Sequence, residues 1–319
     1  MHRRRRFQLR RRAGLSLGRL VFVLLLAGLT GPAEARDVWI DTDVSLGSPI
    51  READDSFALM LAFHSPQIRI LGVSTSYGNA SLAFVDRVAR EMTRRFGGPA
   101  HLSEENVFAG ARSPQDLGRP SAASDATAAA SNRARMTYIA LGPLTNLATA
   151  LQLHPHFRDR IDQVIVIGGV EKGEQLPFRI HDANVFKDAR SADIVLRSGI
   201  PLVLAPIAVA ATLTINRQDI RRLRTASQAG EYLSQKSVWW MFFWINIAGS
   251  PGAPVFDAPG VIAAAKPELL RMERRYAAVD ENHAFVLTRK PNENARPVRC
   301  IVALTPGTKE FLLHGLISR

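Results

Sequence analysis

Apolar runs of strand length recur along the chain, separated by longer stretches with helical spacing. The runs are VWI (38–40), IRILGVST (68–75), MTYIALG (136–142), QVIVIGG (163–169) and PLVLAPI (201–207). Between them lie DSFALMLAFHS (55–65), LAFVDRVAREMTRRF (82–96), LTNLATALQL (144–153) and DARSADIVLRSG (188–199). The runs are continuously apolar instead of alternating, which is the pattern of strands covered on both faces. Strand–helix repetition of this kind predicts an α/β fold with a mainly parallel central sheet flanked by helices. Residues 110–133, rich in Ala, Ser, Pro and Arg, are expected to form a loop and a short helix. No internal repeat or second domain is visible, so residues 36–319 read as one domain.

The first 35 residues break the pattern. Arginines at 3–6, 10–12 and 19 precede the apolar run LVFVLLLAGL (20–29), and AEA (33–35) follows it. A basic start, a short apolar core and an A-x-A site are the three parts of a secretory signal peptide. The run is about ten residues long, against the roughly twenty that a membrane-spanning helix needs, which favours a cleaved signal over its rival, a retained anchor. The arginine pairs suit the twin-arginine route without selecting it. The expected product is exported, periplasmic or secreted, with no stable membrane insertion after cleavage.

That segment also carries much of the charge. Eight of the 41 Lys and Arg residues and one of the 29 Asp and Glu residues lie in 1–35, so the formal +12 falls to +5 without them. The remainder is an ordinary soluble surface and points to no nucleic-acid partner. The single cysteine, Cys300, lies in VRCIVAL (298–304) and is expected to be a buried small hydrophobe with no disulfide.

In open α/β sheets, ligands bind beyond the carboxyl ends of the strands. Asp41 and Asp43 close the first run, SYGNA with Asn79 closes the second, LGPLTN the third and GGVEKG the fourth. Residues two apart on a strand share a face, so Asp41 and Asp43 project together. Asp54 and Asp55 open the next helix, where capping alone is the simpler role for a carboxylate. Four clustered carboxylates without His or Cys suit a hard cation such as Ca²⁺ or Mg²⁺. Asp257, which opens another apolar helix in APVFDAPGVIAAA, is the best distant partner.

Two enzyme families share this beginning. A strand ending in DxDxS is similar to haloacid-dehalogenase-type phosphatases, which also need a later lysine and an acidic pair. Lys172 and Lys187 are present, but neither has an acidic pair after a nearby apolar strand. The second family fits along most of the chain. DTD…DDSFALMLAF (41–63), GVSTSYGN (72–79), ALGPLTNLA (140–148), VIVIGG (164–169), DANVFKDARSADIV (182–195) and FDAPGVIAA (256–264) resemble the inosine/uridine-preferring nucleoside hydrolases in content and order.

The resemblance implies Ca²⁺-dependent hydrolysis of the N-glycosidic bond of a small-molecule nucleoside by a homo-oligomer. It implies metal ligands Asp43, Asp55, the main-chain carbonyl of Leu141 and Asp257, with Asp41 orienting them and Asp43 as general base. It places Asp54, Asn79 and Asn184 on the ribose hydroxyls, and Asp182 where the family usually has a glutamate near the 5′-hydroxyl. Departures accompany the match. Phe256 stands where the uridine-preferring branch has a histidine that assists the leaving base, and the segment between Ala109 and Tyr138 lacks the His-containing loop of many relatives. Ten residues (44–53) separate Asp43 from Asp54, where the family commonly has three; they are expected over the pocket mouth. In VWWMFFWINIAG (238–249), Trp240 and Trp244 share a helical face, which suits stacking on a nucleobase or packing in the core. A nucleoside-binding protein without turnover is the second reading.

Overall fold

The computed structural model describes residues 35–47, 51–176 and 180–317. The expected signal peptide, residues 1–35, therefore lies outside the described residues except for Ala35. Strands β1 (Arg36–Thr42), β2 (Ile68–Thr75), β3 (Val107–Ala109), β4 (Met136–Ala140) and β5 (Ile161–Ile167) come first along the chain. They are followed by β6 (Val170–Glu171), β7 (Leu202–Ala205), the short pair β8 (Thr214–Ile215) and β9 (Ala253–Pro254), then β10 (Leu270–Val279), β11 (Phe285–Thr288) and β12 (Arg296–Leu304). The main sheet runs β3-β2-β1-β4-β5-β7-β12-β10-β11-β6. Pairing is parallel from β3 through β12, whereas β10 runs antiparallel to β12 and β11.

The fold is thus the expected α/β arrangement, and the five apolar runs all became neighbours in its parallel part. Every residue of β4 is buried, as continuous apolarity requires of a central strand. The antiparallel β10–β12 unit had no such signal: LRMERRYAAV mixes charged and apolar positions because its outer residues are exposed. Cys300 is buried and unbridged on β12. The segment 110–133 ends in a helix at Ala122–Arg133, started by Ser121 accepting from the Ser124 N–H.

The helix Asp54–Phe63 is buried at all ten positions and packs against the helices Ala258–Ala265 and Thr308–Ile317. Burial on every side explains its unbroken apolar sequence after the two aspartates. None of the described helices is long and apolar enough to cross a membrane.

At the β1–β2 pairing, Trp39 lies opposite Gly72, donates its indole N–H to Ser74 at 2.9 Å and stacks on Phe108. A methyl group at residue 72 would overlap the Trp39 ring. Gly72→Ala is therefore expected to destabilise the protein by about 1–3 kcal/mol through overpacking. Urea unfolding measures this, and an unchanged midpoint would show that the ring has room to move.

Candidate active site

The end of β1 and the loops beyond β2 and β4 bring the polar residues together. Asp41 is fully buried, and its Oδ1 accepts from Ser74 Oγ at 2.6 Å and Asn146 Nδ2 at 2.8 Å. Burial raises its carboxyl to about 6 despite those donors. Asp41 thus ties three strand exits behind the site, as an orienting residue would.

Asp54, Asp55 and Asp257 form the acidic centre. One carboxylate oxygen from each falls within 4.8 Å of the others, and all three residues are buried. Thr42 Oγ1 donates to Asp55 Oδ1 at 2.6 Å, and Asn79 Nδ2 donates to Asp55 Oδ2 at 2.9 Å. Asp55 and Asp257 repel each other across this centre. Burial raises the Asp55 carboxyl to about 8, with Asp43 adding repulsion. Burial first, then neighbouring acids, likewise pushes Asp54 and Asp257 upward. Asp54 Oδ1 is buried without any hydrogen-bond partner. An orphaned oxygen beside two further buried carboxyls, all of them hard oxygen donors, fits a divalent cation.

The expected ligand Asp43 is arranged differently. Its Oδ2 accepts from the Asn79 N–H at 2.7 Å and lies 3.3 Å from Lys187 Nζ, outside the three-acid centre but near enough to repel each of its members. Asp54, expected on the sugar, takes the third place instead. Gly78, at φ +155°, permits the close approach, because a Cβ there would land on the Asp43 carboxylate. The sequence reading weighed Lys187 only as a phosphatase lysine; its signal for this site was a cation three residues past an Asp182–Asn184 segment already assigned to it.

Asn79, Leu141, Asn184, Asp54, Asp55 and Asp257 line one cleft. Asn184 Nδ2 donates to the Leu141 carbonyl at 2.7 Å, leaving that oxygen a second lone pair. Asp182 does not line the cleft. Its carboxylate accepts from the backbone N–H groups of Gly169, Val185 and Phe285, starting the short helix Ala183–Lys187. In this structure that carboxylate serves the backbone. Trp244 lines the cleft with Phe256, at 5.7 Å between ring centroids, whereas Trp240 sits behind, against Phe57. Trp240 therefore belongs to the packing alternative. His181, Ile180 and Ile207 also line the cleft.

Glu52 was not anticipated as a site residue. It lines the cleft, and its Oε2 accepts from Trp240 Nε1 at 2.7 Å and Trp244 Nε1 at 3.2 Å. Burial raises its carboxyl above the ordinary glutamate range, opposed by the two indoles. Ser45 Oγ donates to the Glu52 carbonyl at 2.6 Å, pinching together the two ends of the inserted segment. Only the ends of that segment are described; residues 48–50 lie outside the described residues.

This combination of fold and acid-floored cleft agrees with the comparisons with known proteins. The model of the family described as inosine-uridine preferring nucleoside hydrolase matches residues 38–308, and the chain belongs to that family. It is 25 % identical to uridine nucleosidase 1 of Arabidopsis thaliana, over 76 % of this chain and 77 % of that protein. It is 27 % identical to the pyrimidine-specific ribonucleoside hydrolase RihA of Salmonella schwarzengrund, over 71 % of this chain and 81 % of that one. A solved plant nucleoside hydrolase superposes with a TM-score of 0.77 at 22 % identity, covering 89 % of this chain and 99 % of that one. A purine-preferring ribonucleoside hydrolase from Gardnerella vaginalis gives 0.73 at 19 % identity, covering 88 % and 98 %. These structures share the fold, and the family match sets aside the phosphatase reading.

The raised carboxyls fix the sign of a pH effect. Asp55 titrates near 8 in the folded protein and at about 4 when unfolded, so between those values the folded state binds more protons. In chelator, thermal stability is therefore highest at the acid side of this window and falls as pH rises from about 5 to 8. Added divalent cation is expected to raise the midpoint more at pH 8 than at pH 5. Scanning fluorimetry checks both, and a midpoint that rises with pH in chelator would contradict this electrostatic account.

Proposed function

We propose that this chain hydrolyses the N-glycosidic bond of ribonucleosides with Ca²⁺ as its metal, releasing free base and ribose. The observation that carries the reading is the family match over residues 38–308, together with Asp54, Asp55 and Asp257 on the floor of a cleft that also holds Asn79 and Asn184. Asp55, Asp257, the Leu141 carbonyl and either Asp43 or Asp54 would hold the ion, which supplies positive charge to grip two ribose hydroxyls and acidify a nearby water.

The protein's own groups account for the rest. Asn79 and Asn184 present side-chain amides to the sugar. Asp43 takes a proton from the attacking water as its oxygen bonds to C1′. The bond from C1′ to the base nitrogen breaks with its electron pair going to the base, which then gains a proton. Positive charge spreads over the ribosyl ring as that bond weakens, and the surrounding carboxylates favour it. In this reading residues 1–35 export the enzyme, and the protein works as a homo-oligomer. Exposed Trp239, Phe242 and Ile247 on one helical face support association.

A binding protein without turnover is the second reading, favoured by Phe256 on the cleft wall and by Lys187 beside Asp43. Incubation with inosine, uridine and adenosine separates the two. Ribose release that stops in EDTA and returns with Ca²⁺ is expected of the hydrolase; tight nucleoside binding without ribose identifies the binder. Asp43→Ala is expected to lower ribose release by about 10²–10⁴-fold while the protein stays folded by circular dichroism. Undiminished turnover would remove Asp43 from the role of base.

A further inference from the structure

Glu52 enters the cleft from the end of the ten-residue segment between Asp43 and Asp54, and both tryptophans of the inner helical face hold it. Trp240 and Trp244 donate to the same oxygen, Oε2. An indole N–H is only a donor, so the pair locks the carboxylate by one oxygen. None of the described groups donates a hydrogen bond to Oε1. The backbone is arranged for this contact. Helix Val238–Phe242 continues into a π-helical turn over Phe243–Ile247, a local widening often found at functional sites. Trp240 and Trp244 are buried on the inner side, while Trp239 and Ile247 are exposed on the outer side.

The surroundings of Glu52 indicate what it would meet. The lining combines the acids Asp54, Asp55 and Asp257 with the apolar side chains of Trp244, Phe256, Ile180 and Ile207. An apolar wall with one fixed acceptor suits a nucleobase ring carrying an N–H. A hydroxylated sugar suits the acids.

We propose that Glu52 is a specificity-determining residue whose Oε1 accepts a hydrogen bond from an N–H of the nucleobase, against the apolar wall of Trp244 and Phe256. The proposal rests on the nucleoside hydrolase reading and adds to it the chemical feature that the base must present. Bases with a ring N–H, as in uridine and inosine, satisfy the acceptor. N-methylation at that position replaces the donor by a methyl group and leaves a buried carboxylate oxygen unpaired.

Two substrate pairs test this: uridine against 3-methyluridine, and inosine against 1-methylinosine. Native protein is expected to show kcat/KM at least about tenfold higher for the N–H member of at least one pair, since a site built around a hydrogen bond rejects the analogue lacking it. Glu52→Gln keeps an oxygen for the indoles but turns a donor toward the base, and Glu52→Ala removes the group; in both, the ratio collapses toward one. Thermal unfolding of the two variants verifies that they remain folded, and the ratio between substrates is insensitive to a partial loss of folded protein.

Equal cleavage of both members of each pair by native protein overturns the proposal. So does a ratio unchanged in Glu52→Gln. A ratio that instead depends on Glu52 only when uridine is compared with 5′-deoxyuridine places the donor on the sugar, and also overturns it. If native protein releases ribose from no nucleoside, the hydrolase reading falls and this proposal with it. Ribose release without methyl discrimination sinks the proposal alone.

Discussion

Five aspartates, Asp41, Asp43, Asp54, Asp55 and Asp257, are buried around the exit of one strand, and the surrounding structure depends on holding them there. Two like charges 4 Å apart repel by about 4 kcal/mol at the effective dielectric of a protein margin. Each aspartate meets that constraint differently. Asp41 is neutralised in effect by the hydroxyl of Ser74 and the amide of Asn146. Asp43 has Lys187 and the N–H of Asn79. Asp55 accepts from Thr42 and Asn79 with Asp257 beside it, and Asp54 leaves one oxygen unpartnered. The donors come from the ends of β1 and β2, from the helix after β4 and from Lys187 in the helix Ala183–Lys187. The acidic cluster thereby joins loops that are remote in sequence. An arrangement so short of positive charge is tolerable when a cation binds there.

Lys187 gives this site a fixed positive charge of its own. Its Nζ sits 3.3 Å from both Asp43 Oδ2 and Asn79 Oδ1, at the edge of the acidic centre and not inside it. The lysine draws Asp43 toward the β2 loop and leaves Asp54, Asp55 and Asp257 as the tightest group. A divalent ion in that group would compete with Lys187 for Asp43. The position of Asp43 therefore reports the balance between a mobile cation and a tethered one.

The parallel half of the fold was legible because strands covered on both faces carry continuous apolar runs, and β1, β2, β4, β5 and β7 are each buried along such a run. The antiparallel β10–β12 unit was not, since its strands mix exposed charges with buried positions, as Arg275 shows by pairing with Glu171 and Glu273 while itself buried. In the site, Asp55, Asn79, Asn184 and Asp257 were legible through short motifs whose spacing the chemistry constrains. The cap at Asp182 was not legible, because a helix cap and a ligand-binding carboxylate look alike in sequence. Glu52 and the Lys187–Asp43 contact were missed for the opposite reason: the partners are 188 and 144 residues apart, and no local pattern marks such contacts.

Under the proposed function that contrast would follow from a division of labour within the cleft. Sugar contacts would work by charge, which needs particular residue types at particular strand exits and so leaves a recognisable pattern. Base contacts would work by shape and by one oriented acceptor, which many combinations of packed residues can supply. The proposed acceptor depends on an inserted segment pinched by Ser45, a π-helical turn that carries Trp244, and Phe256 against its ring. None of these contacts touches the acidic centre's own hydrogen bonds. Loops add closure entropy only slowly with length, so the segment between Asp43 and Asp54 can grow without dismantling the carboxylates at its two ends. Substrate choice can therefore vary in this fold while the charge that acts on the ribosyl ring stays in place.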